Sequence, residues 1–118
     1  MGNIEIITNN PAVQNAHPRI AKFHDVGVLE IFTIVRDMVH GGAKVLSHPL
    51  SGSMKPWESP YKSILVSSKP GLLDLDSLKY IENAIAMMKN RGLANRAYQA
   101  RVLDDFSVVD LDIISSAI

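Results

Sequence analysis

The stretch that decides the fold of this chain is Ile4-Glu5-Ile6-Ile7-Thr8-Asn9-Asn10-Pro11. Its first half is mostly apolar and β-branched, which is typical of a buried strand. Asn10 is a favourable N-cap and Pro11 is tolerated at the first helical position, so a helix is predicted to follow at once. His17 precedes a proline, which predicts that this helix is short. A strand that leads directly into a helix indicates an α/β fold.

Further strands are predicted at residues 25–29, 44–48 and 63–67. A helix is predicted from Glu30 to His40, because apolar residues recur there with a helical period and Gly41-Gly42 follows. The β-branched content of this segment leaves a longer strand as an alternative.

Two more helices are predicted near the C-terminus. The first opens at Asp74 or Asp76 and stops at Gly92, with one apolar face. The second covers residues 95–105, and a last helical turn or two follows it. Asp110 is predicted to cap that last turn or to lie on the surface. The residues predicted to face the core are Leu78, Ile81, Ile85, Met88, Tyr98, Val102, Leu103 and Phe106.

Length and composition limit the class of protein. A chain of 118 residues with 47% hydrophobic and 20% charged residues fits one globular domain, taken as residues 1–118. The absence of cysteine excludes a disulfide scaffold, a thiol nucleophile and an iron–sulfur cluster. A formal net charge of zero argues against the broad basic surface of a non-specific nucleic-acid binder.

Together these elements predict an α/β fold, a small layered domain with a mixed sheet of about four strands flanked by helices. The connection at residues 49–61 contains three prolines and is a poor crossover helix, so the fourth strand should run antiparallel to the third. The whole connection then lies at the carboxyl end of the third strand. Ligands of open α/β sheets bind at that end.

Residues 47–63 are the best candidate for a binding site, because hydroxyls, two lysines, a histidine and a glycine are concentrated there. Backbone N–H groups near Gly52 and a lysine ammonium can hold an anion. The Thr8–Pro11 turn is a second candidate, with helix capping as its alternative role. If the first and third strands are parallel neighbours, both segments share one rim. The predicted ligand-binding residues are Thr8, Asn9, Asn10, His48, Ser51, Gly52, Ser53, Lys55, Ser59, Tyr61, Lys62 and Ser63.

Two other functions stay open at this point. In one, the chain is a small enzyme for a phosphorylated or carboxylated metabolite, with His48 as acid or base and Lys55 or Lys62 holding the anion. In the other, the chain forms a homo-oligomer in which Trp57 and Tyr61 are buried at a subunit contact. No catalytic residue is assigned, and the spacing of the histidines predicts no metal site.

Several residue strings resemble the GrdX family over nearly the whole chain. They are Ile6-Ile7-Thr8-Asn9-Asn10-Pro11, Ser47-His48-Pro49-Leu50-Ser51-Gly52-Ser53-x-Lys55-Pro56-x-x-Ser59-Pro60-Tyr61-Lys62-Ser63-Ile64-Leu65, Leu103-Asp104-Asp105-Phe106 and Ser115-Ser116-Ala117-Ile118. These are small proteins encoded beside the selenium-dependent glycine, sarcosine and betaine reductases of anaerobes that ferment amino acids. The resemblance carries over no catalytic residue.

The resemblance implies an accessory protein of these reductase systems rather than the selenocysteine chemistry itself. We expect no cofactor, a cytoplasmic location, and no contact with nucleic acid or membrane. Components of the reductase complex and a small anionic metabolite are the expected partners. Binding through the 8–11 and 48–63 loops is the expected activity.

Overall fold

The computed structural model describes residues 3–48, 59–67, 71–91 and 98–118. Within these residues the elements follow one another as a strand, a helix, a strand, a helix, a strand and two helices. Their bounds are β1 Ile4–Thr8, α1 Pro11–Ala16, β2 Ala21–Phe23, α2 Val28–His40, β3 Ser63–Ser67, α3 Leu75–Arg91 and α4 Ala100–Ala117.

The strands form a mixed sheet in the order β2-β1-β3. The central strand β1 pairs in parallel with β2 and antiparallel with β3. In the second pairing Thr8 lies opposite Ser63 and Ile4 lies opposite Ser67. The α/β class is therefore confirmed, but the sheet has three strands in the described residues rather than the predicted four.

Helices cover both faces of the sheet, because successive side chains of a strand point to opposite sides. On one face Ile7, Ile64 and Val66 pack with the buried residues of α2 and α3. On the other face Ile6 and Leu65 pack with Val13 of α1 and Ile114 of α4. Helix α4 thus lies on the same side of the sheet as Thr8 and Ser63, which continue the Ile6 and Leu65 rows.

The strand predicted at residues 25–29 is wrong. The strand lies earlier, at Ala21–Phe23, and the backbone N–H of His24 donates to the Thr8 carbonyl at 2.8 Å. Helix α2 begins at Val28, because its apolar residues face the core with a helical period. The longer strand considered for this segment is therefore wrong as well. A strand of three residues has too little periodicity to be found from sequence.

The strand predicted at residues 44–48 is reduced to a single antiparallel bridge between Val45 and Val66. Its direction relative to β3 is as predicted. However, β3 lies between this segment and β1, so the two are not the neighbours that the shared-rim argument assumed.

The first helix has the predicted start, with Asn10 as N-cap and proline in the first turn. Helix α3 confirms the predicted helix after Asp74, with Ile81, Ile85 and Met88 buried. At the C-terminus, α4 is one continuous helix from Ala100 rather than a helix and a separate capped turn. The predicted stop at Gly92 lies outside the described residues.

Candidate functional site

The turn after β1 is built on side-chain hydrogen bonds. Asn10 Oδ1 accepts from the Ala12 backbone N–H at 3.0 Å, which caps α1. The Asn10 backbone N–H donates to Thr8 Oγ1 at 2.9 Å. Both Thr8 and Asn10 are fully buried, so this turn lies inside the protein.

Asn9 joins this turn to the segment that enters β3. Its Nδ2 donates to the carbonyl oxygens of Val26 and Pro60, each at 2.9 Å. Its Oδ1 accepts from the Lys62 backbone N–H at 2.8 Å. One amide side chain therefore fixes the end of the 48–63 loop beside the carboxyl end of β1.

A buried carboxylate on α4 completes the arrangement. Asp110 Oδ2 accepts from Ser63 Oγ at 2.7 Å and from Asn10 Nδ2 at 3.1 Å. The hydroxyls of Thr8 and Ser63 are 2.7 Å apart. Ser107 Oγ donates to Asn10 Oδ1 at 2.8 Å, and the Ser107 carbonyl accepts from Asn10 Nδ2 at 3.0 Å. We call Thr8, Asn10, Ser63, Ser107 and Asp110 the Asp110 cluster.

Lys62 lies next to this cluster, and its charge and that of Asp110 act on each other. Burial lowers the pKa of the Lys62 ammonium, and the Asp110 carboxylate partly opposes that shift. Burial raises the pKa of the Asp110 carboxyl, while hydrogen bonds from Ser63 and Asn10 and the Lys62 charge oppose the rise. Each residue is only 8% exposed. Desolvation therefore disfavours the charged form of both groups.

Among the predicted ligand-binding residues, the structure brings together Thr8, Asn9, Asn10, Lys62 and Ser63. Ser59 and Tyr61 lie just before them in a local turn, in which Ser59 Oγ donates to the Tyr61 carbonyl and accepts from the Tyr61 N–H. The predictions for Ser51, Gly52, Ser53 and Lys55, and that for Trp57, fall outside the described residues.

His48 has a different neighbour from the one predicted. Its ring packs against Tyr80 of α3, with ring centroids 5.1 Å apart. Helix α3 covers the face of the sheet opposite to α4. The structure therefore groups His48 with α3, and Lys62 and Ser63 with the Asp110 cluster.

The sequence interpretation missed Asp110 and Ser107. Asp110 is not the surface or cap residue that was predicted, because it is buried and accepts two side-chain hydrogen bonds. A signal was present: Leu103, Asp110 and Ile114 follow a helical spacing, which places an aspartate on an otherwise apolar stripe. A carboxylate at such a position requires hydrogen-bond partners from elsewhere in the chain.

The described residues contain no group of three histidine, cysteine, aspartate or glutamate side chains arranged to hold a metal ion. No helix in the described part has the length and apolar character needed to cross a membrane.

Comparison with known proteins supplies one match. A family model described as GrdX-like protein matches residues 5–118. The searches of curated proteins and of solved structures found no match. Because the family match extends over essentially the whole sequence, this chain belongs to the GrdX family.

Proposed function

We propose that this chain is an accessory protein of the selenium-dependent glycine, sarcosine and betaine reductase systems, and that it binds a small anionic group at Lys62. The association with these reductases rests on the family. The binding role rests on one observation, the burial of Lys62 beside the carboxyl end of β1.

A buried lysine requires compensation for the water that its ammonium loses. Within the described residues, no salt bridge includes Lys62 and no hydrogen bond reaches its Nζ. The described part also has no fully buried side-chain nitrogen or oxygen without a hydrogen-bond partner. The Lys62 Nζ therefore keeps some contact with solvent, through which an anion can reach it.

The asparagines have a supporting role in this proposal. Both N–H groups of the Asn9 amide and both N–H groups of the Asn10 amide are used in internal hydrogen bonds. They are satisfied without a ligand, and they fix the backbone on either side of Lys62. We therefore assign direct contact with the anion to Lys62. Thr8, Asn9 and Asn10, which were predicted to contact the ligand, are assigned a positioning role.

The alternative of an enzyme with His48 as acid or base has less support. The His48 ring packs against Tyr80, and the buried Asp110 carboxylate accepts its side-chain hydrogen bonds from Ser63 and Asn10. A binding site at Lys62 is the interpretation that uses the observed burial and contacts.

Calorimetric titration of the protein with acetate, phosphate and sulfate tests the binding. We expect at least one of them to bind the natural sequence and to lose binding in Lys62→Met. This variant should stay folded, because methionine fills similar space without a buried charge. Arg19→Ala is the matched control, since Arg19 is an exposed cation lining a separate cavity of about 290 Å³ between α1 and β2.

Equal binding by the natural sequence and Lys62→Met, with loss in Arg19→Ala, would contradict the proposed site. Pull-down of purified reductase components on the immobilised protein tests the accessory role separately. Retention of a component supports it, and recovery of none of them from a complete set contradicts it.

A further inference from the structure

The cavity of about 290 Å³ between the end of α1 and the start of β2 opens to solvent and includes no residue of the Asp110 cluster. Its volume is close to the lower end of the range of small-molecule sites, about 300–1,000 Å³. Three of its five lining residues are apolar, so the cavity favours a ligand with a short apolar part. The lining residues are Ala16, His17, Pro18, Arg19 and Ile20.

The turn that forms this cavity is held by hydrogen bonds. The His17 backbone N–H donates to the Val13 carbonyl at 2.9 Å. The His17 carbonyl accepts from the backbone N–H groups of Ile20 and Ala21 at 3.2 and 2.9 Å. The His17 Nε2 lies 3.0 Å from Ser115 Oγ, and this hydrogen bond joins the turn to α4. The walls are therefore fixed without a ligand, so binding requires little further ordering of them.

Arg19 supplies a permanent positive charge at this cavity. Within the described residues its guanidinium has no ion pair and no hydrogen bond, whereas that of Arg36 has Glu82 Oε1 at 3.4 Å. No acidic residue is among those that line the cavity. A guanidinium presents its N–H donors in a planar fork that matches the two oxygens of a carboxylate. The cavity therefore combines an unpaired anion-binding group with an apolar lining.

We propose that this cavity binds a small monocarboxylate, whose carboxylate pairs with the Arg19 guanidinium and whose short hydrocarbon chain lies against the apolar lining. A single guanidinium charge balances a monoanion, whereas a phosphate monoester would keep part of its second charge uncompensated. Phosphate and sulfate have no apolar part and acetate has one methyl group, so these ions gain little from this cavity. The inference is therefore independent of anion binding at Lys62.

Calorimetric titration with acetate, butyrate and propylammonium tests the inference. Butyrate has the carboxylate of acetate and two more CH₂ groups, and each CH₂ that leaves water raises the affinity about fourfold. We expect butyrate to bind the natural sequence roughly tenfold more tightly than acetate. Propylammonium carries the hydrocarbon chain of butyrate on a positive group, so it should not bind.

Two variants change the cavity, and each has a matched control. Arg19→Ala should lower the affinity for butyrate about tenfold or more, in line with one charge-assisted pair. Lys22→Ala removes an exposed cation of β2 that does not line the cavity, so it should bind butyrate as the natural sequence does. Ala16→Leu fills the cavity and keeps Arg19, so butyrate should bind no more tightly than acetate. Asn15→Leu places the same side chain on α1 outside the cavity and should leave binding unchanged.

Far-ultraviolet circular dichroism checks that each variant is folded. The inference is overturned if butyrate binds the natural sequence no more tightly than acetate, or if Arg19→Ala binds butyrate unchanged. Equal losses in Arg19→Ala and Lys22→Ala would indicate general charge attraction and would overturn it as well.

Lys62→Met distinguishes this inference from the proposed function. We expect this variant to keep the butyrate affinity of the natural sequence even where it loses acetate or an inorganic anion. Loss of butyrate from Lys62→Met, with binding kept in Arg19→Ala, would assign butyrate to Lys62 and overturn the cavity site. If no anion depends on Lys62 and butyrate still depends on Arg19, the proposed function is wrong and the cavity site stands.

Discussion

Replacing Asn10 by alanine is the most direct test of how the Asp110 cluster holds the protein together. Asn10 has no exposed surface, and its side chain takes part in four hydrogen bonds. Two of these join α1 and β1 to Ser107, one reaches the Asp110 carboxylate, and one caps α1. The truncation therefore removes the N-cap and the main polar connection between the β1 turn and α4.

The size of the effect follows from these bonds. The hydrogen bond to the Asp110 carboxylate contributes about 1.5–3 kcal/mol, and each of the three neutral ones about 0.5–1.5 kcal/mol. Partial replacement by water lowers the sum, so we expect the free energy of unfolding to fall by about 3–5 kcal/mol. A domain of this size has a free energy of unfolding of roughly 5–15 kcal/mol in total, so the loss is a large fraction.

Two companion variants make the measurement interpretable. Asn10→Ser can still cap the helix through its hydroxyl but cannot reach α4, so its loss should be about 1 kcal/mol smaller than that of Asn10→Ala. Asn15→Ala changes an exposed residue of the same helix and should have an effect of no more than about 0.5 kcal/mol. Urea denaturation followed by circular dichroism gives the free energies by linear extrapolation. A loss in Asn10→Ala no larger than that in Asn15→Ala would refute the structural role assigned to the cluster.

Three further predictions concern other parts of the fold. Gly42→Ala should have a melting temperature well below that of the Gly41→Ala control, and its free energy of unfolding should fall by more than about 1 kcal/mol. The reason is that Gly42 has φ +103° and that a Cβ there would overlap the Gly71 backbone. A melting temperature equal to the control's would contradict this packing. Phe32→Ala should lower the free energy of unfolding, measured by urea denaturation, by about 3–5 kcal/mol, because Phe32 is fully buried between the sheet and α3. A loss under about 1 kcal/mol would contradict that burial. Burial raises the pKa of the Asp110 carboxyl, so the folded state favours the protonated form, and this stabilisation is lost as the pH rises through the raised value. The free energy of unfolding of Asp110→Asn relative to that of the natural sequence should therefore increase with pH above about 4. A difference between the two proteins that does not change with pH would show that the pKa shift is absent.

Much of the fold could be predicted from local signals. The β1 strand, the Asn10 cap, α3 and the β3 strand all have strong periodicity or turn chemistry within a few residues. The prediction errors occurred where tertiary contacts decide whether a segment forms a strand. The three-residue β2 is a strand because it pairs with β1. Residues 44–48 form only a bridge at Val45, because the Leu65 backbone N–H donates to the Ser47 hydroxyl rather than to a backbone carbonyl of that segment.

The candidate site also contains residues that local signals predicted and one that they did not. Lys62, Ser63 and the Thr8–Asn10 turn were predicted from residue type and from their position at strand ends, and the structure brings them together. Asp110 lies 100 residues from Asn10 along the chain, and no local pattern indicates that their side chains meet.

The sequence by itself determined the α/β class, the capped turn after β1 and the family, because each depends on short-range patterns or on whole-chain similarity. Only the tertiary structure decided which polar residues share a site. The packing of α4 against the face of the sheet that carries Thr8 and Ser63 places the Asp110 carboxylate on the hydroxyl of Ser63, the residue after Lys62, whereas His48 contacts α3. Burial of both charges depends on that packing, since desolvation arises from neighbouring elements that are distant in sequence.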